Sequence, residues 1–323
     1  MPQPPHNDIY YNDQDIISKI VRELLLPELP MLTRIPFTLV DQKTIIAKRQ
    51  SYTVDSDPHK KLASKGGTTL GAWPTVTLSQ DEAVSLNTAM RKTRAEFTVD
   101  DLALGTFEKD VMECYATAAW NIADDINASL VTAMISGYGA QTTQFDIKTS
   151  GVWSGNANPI GDIRAIAQDM KAKRGYKLDT IIVETTNYQE MFDFLETNDL
   201  DVDYARNQIA PDRRFYEEIT YLKVPGCWVI GVTSDTGLSE GAILGLGTFK
   251  GTPCVENLAY FDPKFGNKEV VEGDTQGIGP ANIPLNVNPY TMPDNRTSMV
   301  EMWIDSVPNV GNSYGVFYKS SGI

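Results

Sequence analysis

The order of apolar and polar positions divides the chain into segments with different periods. Residues 15–26, DIISKIVRELLL, place Ile16, Ile20 and Leu24 beside Ile17, Val21 and Leu25, while Ser18, Lys19, Arg22 and Glu23 face the other way. The spacing predicts a short amphipathic helix, stopped by Pro27 and Pro30. Its apolar face has to dock on its own chain, on a neighbour or on a membrane surface. A polar face without a strong cationic excess favours protein. Residues 1–14 hold three prolines and no periodicity, and are expected to form an extended arm.

A period of two follows. Residues 43–53, KTIIAKRQSYT, have the β-branched and aromatic content of a strand. Residues 74–86 and 92–99 alternate, and in the second run Thr93, Ala95, Phe97 and Val99 share a face. The intervening VDSDPHKKLASKGGTTLGAWP has mixed charge and three glycines, so a long two-stranded excursion with a polar tip is expected. A lone hairpin is marginal in water. This one should rest on something, and its own chain does not obviously suffice.

Thr106 to Ser136 contains neither proline nor glycine. Thr106 suits the cap, Glu108 and Asp110 suit the positive helix start, and Gly137 suits a left-handed stop. The predicted rod is about 45 Å long. Placed at 100° steps, Phe107, Val111, Cys114, Tyr115, Ala118, Ile122 and Ser129 form one face, with Asp125 at its edge. Asp124 falls on the far side, with Trp120 and Val131. The adjacent aspartates diverge by about 100°, so they do not converge on one substrate atom. They read as structural, with Asp125 expected to meet a donor at the helix edge. The second face gains Leu130 and Met134, and a helix apolar on two sides must be covered on two sides.

Beyond this rod the periods mix. Asn158 and Pro159 open a helix that carries Ile160, Ile163, Ile166, Ala167 and Met170 and ends near Gly175. LDTIIVET (178–185) reads as a buried strand, and Thr186 and Asn187 start a short helix. CWVIGVTS (227–234) and GAILGLG (241–247) read as strands, residues 262–296 as loop-rich, and MVEMWIDSV and YGVFYKS as closing strands. The class is α+β.

Composition narrows the function. With 41% hydrophobic and 22% charged residues the chain is a folded globular protein, and 323 residues are enough for more than one compact unit. The net charge of −14 opposes a free-standing nucleic-acid binder, which needs cationic surface to displace counterions. Cys114, Cys227 and Cys254 lack metal-ligand spacing, which fits a reducing cytoplasm. No apolar run is long enough to span a membrane, and the N-terminal stretch lacks a signal-peptide pattern.

Candidate chemistry is thin. A dinucleotide fingerprint requires a helix after its glycines, but GLGTFKG (245–251) is followed by the strand-like TPCVE. Asp199, Asp201 and Asp203 alternate, yet Tyr204 and Ala210 stand where a calcium loop needs Gly and Glu. His6 and His59 lie in polar stretches without rigid support for a catalytic triad, and Cys114 sits on an apolar helix face. No enzyme activity, cofactor or metal is expected. Lys60, Lys61 and Lys65 cluster at the hairpin tip, either as a solvated tip or as contacts to acidic groups of another subunit.

The order of elements resembles the Hong Kong 97-type major capsid proteins of tailed viruses. The stretches that carry the resemblance are AEFTVDDLALGTFEKDVMECYATAAWNIADDINASL, DIRAIAQDMKAKRGYKLDTIIVETTNYQEMF and VPGCWVIGVTS…EGAILGLGTFKG. The resemblance implies an N-arm (1–40), an E-loop (41–95), a P-domain with the spine helix (96–154), an A-domain (155–250) and return strands (251–323) whose assignment stays open between P- and A-domain. It implies a homo-oligomer of pentamers and hexamers, forming an icosahedral virion capsid around a double-stranded DNA genome without sequence-specific binding, and assembled in the host cytoplasm. Portal and decoration proteins would be partners. The short arm suggests a separate scaffolding protein or none. Ile16, Ile20, Leu24, Lys60, Lys61, Lys65, Trp73 and Trp120 are the expected intersubunit contacts. The rival readings are an encapsulin-type compartment shell and, more remotely, a monomeric acid-dependent hydrolase.

Overall fold

The structure is a computed structural model of the 323-residue chain. It describes residues 13–49, 82–98, 107–139, 153, 158–171, 175–197, 221–224, 227–249, 252–262, 264–265, 283–291, 297–321 and 323. His6, His59, Lys60, Lys61, Lys65, Trp73, Thr106 and Asp199 to Asp203 lie outside these residues.

In chain order the elements are α1 (Gln14–Glu28), β1 (Phe37–Val40), β2 (Thr44–Arg49), β3 (Glu82–Asn87), β4 (Ala89–Thr98), α2 (Phe107–Gly139) and α3 (Pro159–Asp169). They continue with β5 (Lys177–Glu184), α4 (Thr185–Thr197), β6 (Tyr221–Val224), β7 (Cys227–Val232), β8 (Ile243–Phe249), β9 (Thr252–Pro253) and β10 (Val255–Tyr260). The chain closes with β11 (Asn286–Thr291), β12 (Thr297–Val310) and β13 (Val316–Lys319).

The first sheet has the order β1-β10-β12-β11, with β4 also paired to the long β12. The second runs β13-β8-β5-β7-β6, with β9 on β8, and β2 and β3 form a separate two-stranded ribbon. The closing strands therefore part: β12 joins the first sheet and β13 the second.

Helix α2 holds the two sheets together. It packs against α1, β4, β12 and β13, so both sides of its C-terminal half are covered by its own chain, while Met112 and Trp120 stay exposed. On one side Tyr115 meets Phe97 of β4 edge to face at 5.8 Å. At its C-terminal end Tyr138 lies 6.3 Å from Phe317 and 6.1 Å from Tyr318 of β13. The expected stop at Gly137 is not observed, because the helix continues to Gly139. Gly137 serves close packing instead: a Cβ there would stand 3.0 Å from Val310 Cγ1.

The second sheet is buried on both faces. Ile182, Ile230, Leu244 and Leu246 join the core around α2, while Ile181, Val183, Val229 and Ile243 join a second core under α3. A strand covered on both sides carries an unbroken apolar run, which is why LDTIIVET contains so little polar alternation. Asn158 caps α3 as expected, its Oδ1 accepting from the Gly161 N–H at 2.9 Å. The glycine-rich GLGTFKG run begins inside β8, where Gly245 and Gly247 make room for neighbours. A Cβ on Gly247 would sit 2.8 Å from Met170 Cε.

Within residues 262–296, read as loop-rich, the described residues hold β11, paired to β12 from Asn286↔Trp303 to Thr291↔Ser298. Its Val287 continues a period of two from Ile283 and Leu285, all three fully buried, and Pro289 interrupts that pattern. One further expectation needs correction. In α1, Ser18 and Arg22 were expected on the polar face but are buried together with Ile17, Val21 and Leu25. The reason is that α1 touches β11 as well as α2, so its covered arc is wider than its apolar stripe. Arg22 Nη2 donates to the Leu285 carbonyl at 3.4 Å. Burial pushes the guanidinium down to about 10.

Candidate functional site

Among the described residues no concave site with converging catalytic groups stands out. The features that bear on function are surfaces, which follow from how each element is covered.

The first element is α1. Asp13 caps it, its carboxylate accepting from the Asp15 and Ile16 N–H groups at 3.0 and 3.2 Å. Ile17, Val21 and Leu25 are fully buried, and Ile20 and Leu24 pack half-buried against the same core. Ile16 is half-buried. Asn127 of α2 fastens the end of the helix, its amide donating to the Glu28 carbonyl at 2.8 Å. The following segment is tied to the second sheet, where Arg34 pairs with Asp179 at 2.6 Å and lies 5.4 Å from the Trp228 ring centre.

The β2–β3 ribbon contrasts with this. Ile45 pairs with Leu86 and Ala47 with Val84 on one face, while Ile46 opposite Ser85 lies on the other. Ile46 is 77% exposed, the most open large apolar side chain among the described residues. The ribbon is anchored at its base, where Lys43 pairs with buried Asp305 at 3.0 Å and sits 5.3 Å from the Tyr260 ring centre. Sequence reading placed a strand here without singling out Ile46. The missed signal is a β-branched residue at an outward position between Ile45 and Ala47.

Next to the ribbon base, the outer face of β4 and β12 forms an open groove of about 410 Å³ along Met90, Lys92, Arg94, Glu301 and Trp303. Arg94 and Glu301 are directly opposed across the strands and pair at 2.7 Å. The hydrogen bond from Arg94, with others from Asn288 and Tyr290, holds the Glu301 carboxyl below its usual range.

Helix α2 presents a third surface. Trp120 is 48% exposed and Met112 is 39% exposed. The two adjacent aspartates part as expected. Asp125 meets Arg91 of β4 at 3.1 Å. Asp124 lines a cleft of about 150 Å³ together with Trp120, Asn127, the end of α1 and Thr233 after β7. Burial, then Asp235 and Asp125, raise the Asp124 carboxyl above its ordinary value.

Two of the three cysteines are embedded in packing. Cys227 and Cys254 are buried, and burial pushes both thiols up to about 12, far from nucleophilic. Among the described residues no three His, Cys, Asp or Glu side chains group as metal ligands. No described helix is long and apolar enough to cross a membrane.

Comparison with known proteins agrees with the fold. No family model and no curated protein matches the sequence. Solved structures do match. A phage-related protein from Bordetella bronchiseptica RB50 aligns over 95% of this chain and 97% of its own, with 11% identity and a TM-score of 0.55. The holo-SrpI encapsulin complex from Synechococcus elongatus PCC 7942 aligns over 90% and 87%, with 10% identity and a TM-score of 0.48. The mature capsid of bacteriophage PhiM1 aligns over 88% and 85%, with 11% identity and a TM-score of 0.46. At such identities the likeness is one of fold, and the Bordetella protein carries it. The chain is an α+β protein that shares the overall fold of the Bordetella phage-related protein.

Proposed function

We propose that this chain is a major capsid protein whose copies assemble, as pentamers and hexamers, into an icosahedral shell around a double-stranded DNA genome. The observation that carries the reading is the exposed ribbon on this fold: a two-stranded element with Ile46 in the open, standing beside an open groove. Two strands alone do not bury enough surface to stabilise themselves. A neighbouring copy supplies the cover, and closed cyclic symmetry repeats the contact around a capsomer. The function is then mechanical. An acidic chain of net charge −14 repels the phosphate backbone and encloses DNA without gripping it. In this reading residues 1–40 act as N-arm, 41–95 as E-loop, 96–154 as P-domain and 155–250 as A-domain. Ile16, Ile20, Leu24, Lys60, Lys61, Lys65, Trp73 and Trp120 take part in contacts between copies, portal and decoration proteins complete the particle, and assembly takes place in the host cytoplasm.

The test is electron microscopy of the purified, heterologously expressed chain, with light scattering over a range of concentrations. Closed shells of uniform diameter are expected. A discrete 35.7 kDa particle under every assembly condition would overturn the reading. Native shells that contain a cargo enzyme and no genome would replace the capsid with a compartment shell.

A further inference from the structure

The cleft beside α2 has a chemistry that packing alone does not explain. Trp120, Asp124 and Asn127 stand at i, i+4 and i+7, so they form one stripe along the helix. Asn127 is only 6% exposed. Its amide nitrogen donates to the Glu28 carbonyl, and its Oδ1 is a buried acceptor with no donor among the described residues. Asp124, on the same stripe, adds a carboxylate, and Asp125 and Asp235 deepen the negative potential around it. Trp120 forms a half-exposed aromatic wall, whose ring face attracts cations. The same pairing occurs elsewhere among the described residues, with Arg34 on Trp228 and Lys43 on Tyr260.

We propose that this cleft receives the cationic side chain, Arg or Lys, of a second copy of this chain. The inference rests on the shell-forming function proposed above and identifies one of its contacts. The fit follows from three features. On its α2 stripe the cleft offers two acceptors, the Asp124 carboxylate and Asn127 Oδ1. Its volume of about 150 Å³ suits a single side-chain head and falls well below that of a small-molecule pocket. The aromatic wall selects an organic cation. A guanidinium or ammonium entering the cleft gives Asn127 Oδ1 its missing donor, pairs with Asp124 and lies against Trp120. The position is also apt: the cleft lies where α1, α2 and the end of β7 meet, so an inserted side chain would bear on the first-sheet and second-sheet halves of the subunit at once.

The test combines charge substitution with cross-linking. Asp124→Lys should raise the concentration needed for assembly at least 100-fold, and Asp124→Asn roughly 10-fold, while the melting temperature and circular dichroism of the dissociated subunit stay as in the wild type. In a second arm, p-benzoylphenylalanine replaces Trp120, and particles are grown from a mixture of ordinary and nitrogen-15-labelled chains. Light-induced adducts should join copies of different isotope at a peptide containing Arg or Lys. Wild-type assembly by both Asp124 variants would overturn the proposal and leave the shell function standing, as would adducts confined to one copy or to peptides without a basic residue. A wild-type chain that never assembles would remove both.

Discussion

The first helix and the two-stranded ribbon are both peripheral, amphipathic elements near the N-terminal end, yet they end up differently. Helix α1 turns Ile17, Val21 and Leu25 onto α2, buries Ser18 and Arg22 against β11, and is fastened at its end by Asn127. The β2–β3 ribbon is held at its base by the Lys43–Asp305 pair and presents Ile46 to solvent. A helix satisfies its own backbone and needs cover for its side chains only, so one neighbouring helix and a strand suffice. A two-stranded ribbon also presents open backbone edges. The apolar core of α1 therefore lies within the chain, whereas the outer face and edges of the ribbon are open among the described residues.

The comparison can be broken from the helix side first. Leu25→Ala removes a fully buried side chain and should destabilise the isolated subunit by about 2–5 kcal/mol, read by calorimetry or urea unfolding. A change under about 0.5 kcal/mol, the level of ordinary surface substitutions, would mean that α1 does not dock on its own chain. From the ribbon side, Ile46→Thr should leave subunit unfolding within about 0.5 kcal/mol of the wild type. It should weaken each contact between copies by about 1–2 kcal/mol, raising the assembly concentration about tenfold by light scattering. The reverse pattern would place the Ile46 contact inside the subunit.

Arg22→Met sharpens the account of α1. It removes a buried charge held by one long hydrogen bond and keeps most of the volume, so a gain of about 1 kcal/mol in subunit stability is expected. A loss of similar size would show that the guanidinium is well satisfied. The smallest effect belongs to Arg94 and Glu301, which are largely open to solvent screening. Glu301→Gln should lower the melting temperature by only about 1–2 °C at neutral pH. Because Arg94 depresses the Glu301 carboxyl, the contribution is present above the ordinary glutamate value of about 4.3 and disappears as pH falls through the lowered folded-state value. The wild-type and Glu301→Gln melting curves should therefore converge in acid.

Much of this molecule was legible wherever one period ran long enough. The rod of α2, the capped α3 and the doubly buried β5, β7 and β8 follow from spacing and composition, and the divergence of Asp124 and Asp125 follows from the 100° step. The cover given by distant segments was not legible. Nothing near Ser18 or Arg22 announces that β11 closes over them from more than 260 residues away. Gly137 has the chemistry of a helix stop, and only the approach of Val310 shows why the helix passes through it. Short strands such as β1 and β11 take their conformation from their partners, β10 and β12, more than from their own residues. The same limit applies to the surfaces. Trp120 could be placed on a face from sequence, but its cleft exists only because the end of α1 and the turn after β7 arrive beside it.

The most direct test of the contrast between helix and ribbon is hydrogen exchange measured on dissociated subunits and on assembled particles of the same chain. The amides of residues 17–26 should be equally protected in both forms. Those of residues 44–49 and 82–87 should exchange quickly in the subunit and slow by at least tenfold in the particle. Ribbon amides that exchange at the same rate before and after assembly would contradict the account, because the ribbon would then need no neighbour.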